Sequence, residues 1–76
     1  MALVIVINGQ RREFGELNSE ASLAQVIRAL ELKGDRIAVE HNGAIAQRTS
    51  WDRTTVASGD RLEIVHFVGG GRELQY

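Results

Sequence analysis

Twice in this chain a strand-like stretch ends on Asn-Gly, first at Asn8-Gly9 after Leu3 to Ile7, then at Asn42-Gly43 after Arg36 to His41. Asn and Gly tolerate the positive φ that both central positions of a type I′ turn demand, and that turn matches the twist of paired strands. Two hairpins are therefore expected. In the first, Leu3 to Ile7 is continuously apolar and rich in β-branched residues, and the chain returns over Arg11 to Leu17, with Arg12 and Phe14 on one side of the pleat and Glu13 on the other. Gly15 weakens the far end of that strand. In the second, Ile37 and Val39 alternate with Ala38 and Glu40, and the chain returns over Ala44 to Gln47.

A helix is expected between the hairpins. Ser22 and Gln25 have capping-box spacing, and Leu23, Val26, Ile27 and Leu30 share one helical face at i, i+3, i+4 and i+7. Gly34 after Leu32-Lys33 is the expected left-handed C-cap, which gives a helix of about ten residues. From Arg48 to Ser58 the pattern is irregular, anchored by Trp51 and Val56, until Gly59-Asp60 turns the chain into a long apolar strand from Arg61 to Val68. Gly69, Gly70 and Gly71 follow, with no side chain to pack and a high entropy cost of ordering.

This order describes an α+β domain over residues 1–68, with one main helix across a mixed sheet of about five strands, and a flexible tail over residues 69–76. The ubiquitin-like β-grasp fits it. A chain of 76 residues has room for one core only. If Leu3, Ile5, Ile7, Leu62 and Ile64 face the helix, alternation puts Val4, Val6, Val65 and Phe67 on the opposite face. Apolar residues there imply a docking surface for a partner, the plainer reading being partial cover by loops.

Charge and composition exclude several functions. Nine Lys and Arg are scattered among ten Asp and Glu, so no basic stripe exists to neutralise phosphates, and nucleic acid is an unexpected partner. The chain has no cysteine, which removes disulfides, thiolate metal sites, cysteine nucleophiles and side-chain persulfides. No apolar run approaches the roughly 18 residues of a membrane span, and Met1 to Asn8 lacks a signal peptide's basic start and cleavage site. A cytoplasmic location is the expectation.

Taken in order, Asn8-Gly9, Ser22-Leu23-Ala24, Ala38-Val39-Glu40-His41-Asn42, Arg48-Thr49-Ser50-Trp51 and Gly59-Asp60-Arg61-Leu62-Glu63-Ile64-Val65, closing on Val68-Gly69-Gly70-Gly71, resemble the ThiS family of thiamine-pathway sulfur carriers. The likeness covers almost the whole chain. It departs from the family pattern at Gln47, where proline is usual, and at Arg72-Glu73-Leu74-Gln75-Tyr76, which continue past the glycines where family members normally stop.

The resemblance implies a co-substrate rather than an enzyme. In such proteins the carboxylate of the last glycine, here Gly71, attacks the α-phosphate of ATP on an adenylating enzyme of the ThiF type. Sulfur from a donor then displaces AMP, and the thiocarboxylate passes to a thiazole synthase of the ThiG type. No permanently bound cofactor is implied, since ATP belongs to the partner's reaction. In this sequence Gly71 is bonded to Arg72, so a trimming protease is expected to cut there. Without cysteine, the carboxyl of Gly71 is where transferable sulfur can sit.

Other residues carry weaker signals. His41 and His66 lack metal-ligand spacing, and Glu13, Glu16, Glu40, Asp52, Asp60 and Glu63 read as solvated charges. Trp51 reads as an anchor for its irregular segment before it reads as a partner contact. Two alternatives stay open: the small subunit of molybdopterin synthase, with the same glycine end, and a non-catalytic interaction module whose tail stays blocked.

Overall fold

Both Asn-Gly pairs turn as expected in the computed structural model, which describes residues 2–68 and 72–75. Asn8 and Gly9 have φ of 50° and 83°, Asn42 and Gly43 of 52° and 88°, so all four central positions take the left-handed values of the type I′ turn. These turns join β1 (Leu3–Ile7) to β2 (Gln10–Phe14), and β4 (Ile37–His41) to β5 (Ala44–Ala46). β2 stops at Phe14 instead of reaching Leu17, because Gly15 opens a turn closed by the Leu17 amide on the Phe14 carbonyl at 3.3 Å.

The long strand β7 (Arg61–Val68) is the centre of a sheet ordered β2-β1-β7-β4-β5. It runs parallel to β1 and antiparallel to β4. Helix α1 (Leu23–Ala29) covers one face of this mixed sheet, the expected β-grasp arrangement. Leu3, Ile5, Ile7, Leu62 and Ile64 are all buried with Leu23, Val26 and Ile27 in a single core.

The capping box forms as the spacing predicts: the Gln25 amide donates to the Ser22 hydroxyl at 3.1 Å, and the Ser22 amide donates to Gln25 Oε1 at 2.9 Å. The helix nevertheless ends earlier than expected. Glu31 takes the left-handed conformation, φ 60°, while its amide bonds the Arg28 carbonyl at 3.0 Å and the Leu32 amide bonds the Ile27 carbonyl at 3.3 Å. These are the two bonds of a Schellman motif, with Glu31 where Gly34 was expected. Leu30 consequently lies at the C-cap, only partly buried, and is a lesser core residue than its spacing implies.

Gly34 serves packing instead. It opens a single 3-10 turn, Gly34–Arg36, and a Cβ on it would meet Cζ3 of Trp51 at 2.9 Å. Trp51 is buried, as expected of an anchor, and its indole N–H donates to the Ala46 carbonyl at 2.9 Å. The segment around it holds more order than the sequence pattern implies. After a 3-10 turn at Arg48–Ser50, β6 (Thr55–Ala57) pairs antiparallel with β3 (Glu20–Ser22) in a second, two-stranded sheet. The Thr54 and Trp51 carbonyls accept the Leu23 and Ala24 amides, so this segment satisfies donors that the first helical turn leaves open.

The largest departure is at the end of the chain. Residues 72–75, expected within a flexible tail, form β8 (Arg72–Gln75), antiparallel to β7 with Val65 opposite Gln75 and Val68 opposite Arg72. The physical reason lies in β1, whose pairing with β7 reaches only Leu62, leaving backbone groups farther along β7 to be satisfied by another strand.

Candidate functional site

Gly69, Gly70 and Gly71, on which the expected chemistry rests, lie outside the described residues. The strands on either side of them define the site. β4 holds one edge of β7 from Leu62 to His66. β8 overlaps that span at Val65 and His66, so it must lie on the other edge, the one β1 uses at Arg61 and Leu62.

Between β1 and β8 on this edge, a side chain completes the ladder. The chain turns away at Asn8, whose backbone amide still reaches the Leu62 carbonyl at 2.9 Å. The Asn8 carboxamide then bonds Ile64 in both directions: Nδ2 donates to the Ile64 carbonyl at 3.0 Å, and Oδ1 accepts from the Ile64 amide at 2.8 Å. Past Ile64 the partner on this edge is β8.

The outer face of the sheet carries Val4, Val6, Val65 and Phe67, as alternation predicts, but they do not make one continuous patch. Val6 is level with Arg61 in the β1–β7 register, so Val65 stands four residues farther along, about 13 Å at the rise of a strand. Val4 and Val6 are half-buried and sit across from Glu13 and Arg11 of β2. Val65 is half-buried at the opposite end, and Phe67 beyond it is 41% exposed.

Ile45 adds to the second group. It is 63% exposed on β5, and the sequence reading passed over it because its strand is short. The signal was available in its pairing with the outward Glu40 across the Asn42-Gly43 turn. Ala38, Val39, Glu40, Ile45, Glu63 and Val65 line a shallow groove of about 180 Å³. Small-molecule sites begin at about 300 Å³, so this groove, apolar with two carboxylates, fits a protein side chain better than a metabolite.

His41 and Asp60 do more than the sequence suggests. His41 Nε2 and Asp60 Oδ2 are 2.8 Å apart, and the same oxygen accepts the Ala57 amide at 2.9 Å. Burial pushes the Asp60 carboxyl upward, but the Ala57 amide, the His41 ring and the Asn42 side chain outweigh it and hold the group below its ordinary value. The Asn42 amide also bonds the Arg61 carbonyl at 2.8 Å, and its Oδ1 accepts from the Arg61 amide at 2.8 Å. Together these bonds lock the Asn42-Gly43 turn to the start of β7. Among the described residues no group of three His, Asp or Glu could hold a metal ion, and no helix is long and apolar enough to cross a membrane.

Known proteins are similar to this chain in fold and in sequence. A crystal structure of the thiamine biosynthesis protein ThiS from Geobacter metallireducens superposes with a TM-score of 0.78 at 28% identity, covering 91% of this chain and 100% of that one. A thiazole synthase of Paramagnetospirillum magneticum is 39% identical over 70 residues, which are 91% of this chain and 20% of the synthase. A thiazole synthase of Magnetococcus marinus is 33% identical over 57 residues, 72% of this chain and 18% of its own. The chain thus spans about a fifth of the length of these two relatives. The sequence profile of the ThiS family matches residues 5–71, from the middle of β1 to the last of the three glycines. The chain belongs to the ThiS family.

Proposed function

We propose that this protein is a sulfur carrier of thiamine biosynthesis, loaded at the carboxyl of Gly71 once the bond to Arg72 has been cut. The observation that carries the reading is the end of the family match at Gly71, with Arg72 to Tyr76 beyond it. The Gly71 carboxylate attacks the α-phosphate of ATP held by an adenylating enzyme, the bond to the β-phosphate breaks, and pyrophosphate leaves. Hydrosulfide then attacks the glycyl carbonyl carbon, the bond from that carbon to the AMP phosphate oxygen breaks, AMP leaves, and the thiocarboxylate remains once its proton is lost to solvent. Glycine suits the role because a tail without Cβ atoms can bring its backbone close to a nucleotide.

The receiving enzyme is a thiazole synthase. Two proteins of that name contain a stretch similar to this chain, which supports a working relationship between carrier and synthase. Partners dock on the end of the outer face that holds Val65, Phe67 and Ile45, next to the point where β7 leads into the glycines. Intact mass measurement of the protein from its own cells tests the reading. It predicts a species ending at Gly71, part of it heavier by one oxygen-to-sulfur exchange. A population that keeps Arg72 and never carries sulfur would contradict it.

A further inference from the structure

On one edge of β7, three different partners follow one another: β1 at Arg61 and Leu62, the Asn8 carboxamide at Ile64, and β8 from Val65 to Val68. The first two belong to the body of the domain. The third follows the glycines, and it is the part that cleavage after Gly71 removes. We infer that the β7 edge from Val65 to Val68 is a strand-addition surface, filled by β8 while the Gly71–Arg72 bond is intact and emptied by cutting that bond. The inference rests on the proposed loading of Gly71, and adds that the extension masks a surface as well as a carboxyl.

Strand alternation says which groups are at stake. Leu62 and Ile64 direct their backbone bonds to this edge, so His66 and Val68 do the same, and their register partners are Leu74 and Arg72. Phe67 and Glu73 form the pair between, with backbone groups turned away from each other. Pairing also fixes where the chain can go. Val68 and Arg72 sit across from each other, about 5 Å apart for such a pair, whereas a chain running straight on from Val68 would carry Arg72 about 13 Å away. While β8 is docked, the residue after Gly71 is held beside the sheet rather than extended toward a partner.

Cutting changes this without any rearrangement of the domain. A peptidase adds water across the Gly71–Arg72 amide: the C–N bond breaks, the hydroxyl goes to the Gly71 carbonyl carbon, and the proton goes to the Arg72 nitrogen. β8 is then a separate short peptide. It loses the effective concentration, millimolar for a short tether, that kept it in place, and it dissociates. The bared edge offers its backbone groups to an extended segment of the adenylating enzyme, the mode of recognition in which main-chain bonds supply affinity.

The test uses four chains: the uncut protein, the chain ending at Gly71, and uncut chains carrying Leu74→Pro or Glu73→Pro. Leu74→Pro removes an amide that faces β7, whereas Glu73→Pro removes one that faces away and serves as the control. Amide exchange at His66 and Val68 should be slow in the uncut protein and the control, and faster by about tenfold or more in the other two. Titration with the adenylating enzyme should show uncut Leu74→Pro binding about tenfold more tightly than the uncut protein, since its binding-competent fraction is larger. It should still release no pyrophosphate, because Gly71 remains in peptide linkage.

Equal exchange at His66 and Val68 in all four chains would overturn the inference. So would equal affinity of the uncut protein and its Leu74→Pro variant. Neither result touches the proposed loading, which fails separately if the chain ending at Gly71 is not activated.

Discussion

Asn8 and Ile64 are joined by two hydrogen bonds, 3.0 and 2.8 Å, in which a side-chain carboxamide takes the place of a strand's backbone. The same residue turns the chain out of β1 at φ 50°. One asparagine therefore ends the parallel pairing and seals the backbone it would otherwise leave open.

Removing that carboxamide should destabilise the fold by about 1–3 kcal/mol, the cost of leaving partly buried backbone groups unsatisfied. Asn8→Gly isolates the loss, because glycine keeps the positive φ without strain, and Asn8→Ala should cost more. Chemical denaturation of the three proteins checks this order. An Asn8→Gly midpoint equal to that of the parent would show that the bonds to Ile64 contribute nothing.

Gly34→Ala should also destabilise, by about 1–3 kcal/mol, since the new methyl would lie 2.9 Å from a buried ring with little room to move. The contact predicts relief on shrinking the ring. In a double-mutant cycle the cost of Gly34→Ala should fall when Trp51 is replaced by Leu, and an unchanged cost would remove the contact from the account.

What the sequence disclosed depended on how local the signal was. The Asn-Gly turns, the capping box at Ser22 and Gln25, and the alternation through β1 and β7 rest on neighbours in the chain, and each stands where it was read. Gly34 misled because a glycine after a helix usually marks its end, whereas this one is needed for Trp51, 17 positions on, and Glu31 bears the left-handed turn. β3 and β6 were hidden for a similar reason: strands of three residues each, 33 positions apart, have too little pattern to announce a partner. The fold-back of β8 depends on an edge that β1 leaves open, a fact of topology rather than of the sequence near Arg72.

The Asp60 carboxyl gives a pH dependence with a definite sign. Its value is lowered in the folded protein, so the stability it contributes is present above the unfolded value of about 3.9 and is lost as pH falls through the lower folded value. Asp60→Asn should leave a shallower acid dependence below about pH 4. Stability measured by denaturation from pH 5 downward checks this, and parallel curves for the two proteins would exclude a role for the carboxylate.

Phe67→Ala should weaken binding to the adenylating enzyme by about 1–2 kcal/mol or more, with little loss of stability, because the ring is exposed at the tail end of the sheet. Val4→Ala, about 26 Å from it along the strands, should have a much smaller effect on binding. Titration of both variants separates the two ends of the face. Equal affinity of Phe67→Ala and the parent would place the docking surface elsewhere.

The central claim is that Gly71 carries the chemistry, and the most direct measurement is activation of three chains by the adenylating enzyme and ATP. One chain ends at Gly71, one retains residues 72–76, and one carries a single alanine after Gly71. Pyrophosphate release is followed first, and a sulfur source is then added and the products are weighed. The account predicts that the chain ending at Gly71 releases pyrophosphate and gains sulfur, that the longer chain does neither, and that the alanine chain, with a free carboxylate but a methyl at its tip, separates the need for a free carboxyl from the need for glycine. Activation of the chain with residues 72–76 as fast as that of the chain ending at Gly71 would contradict it.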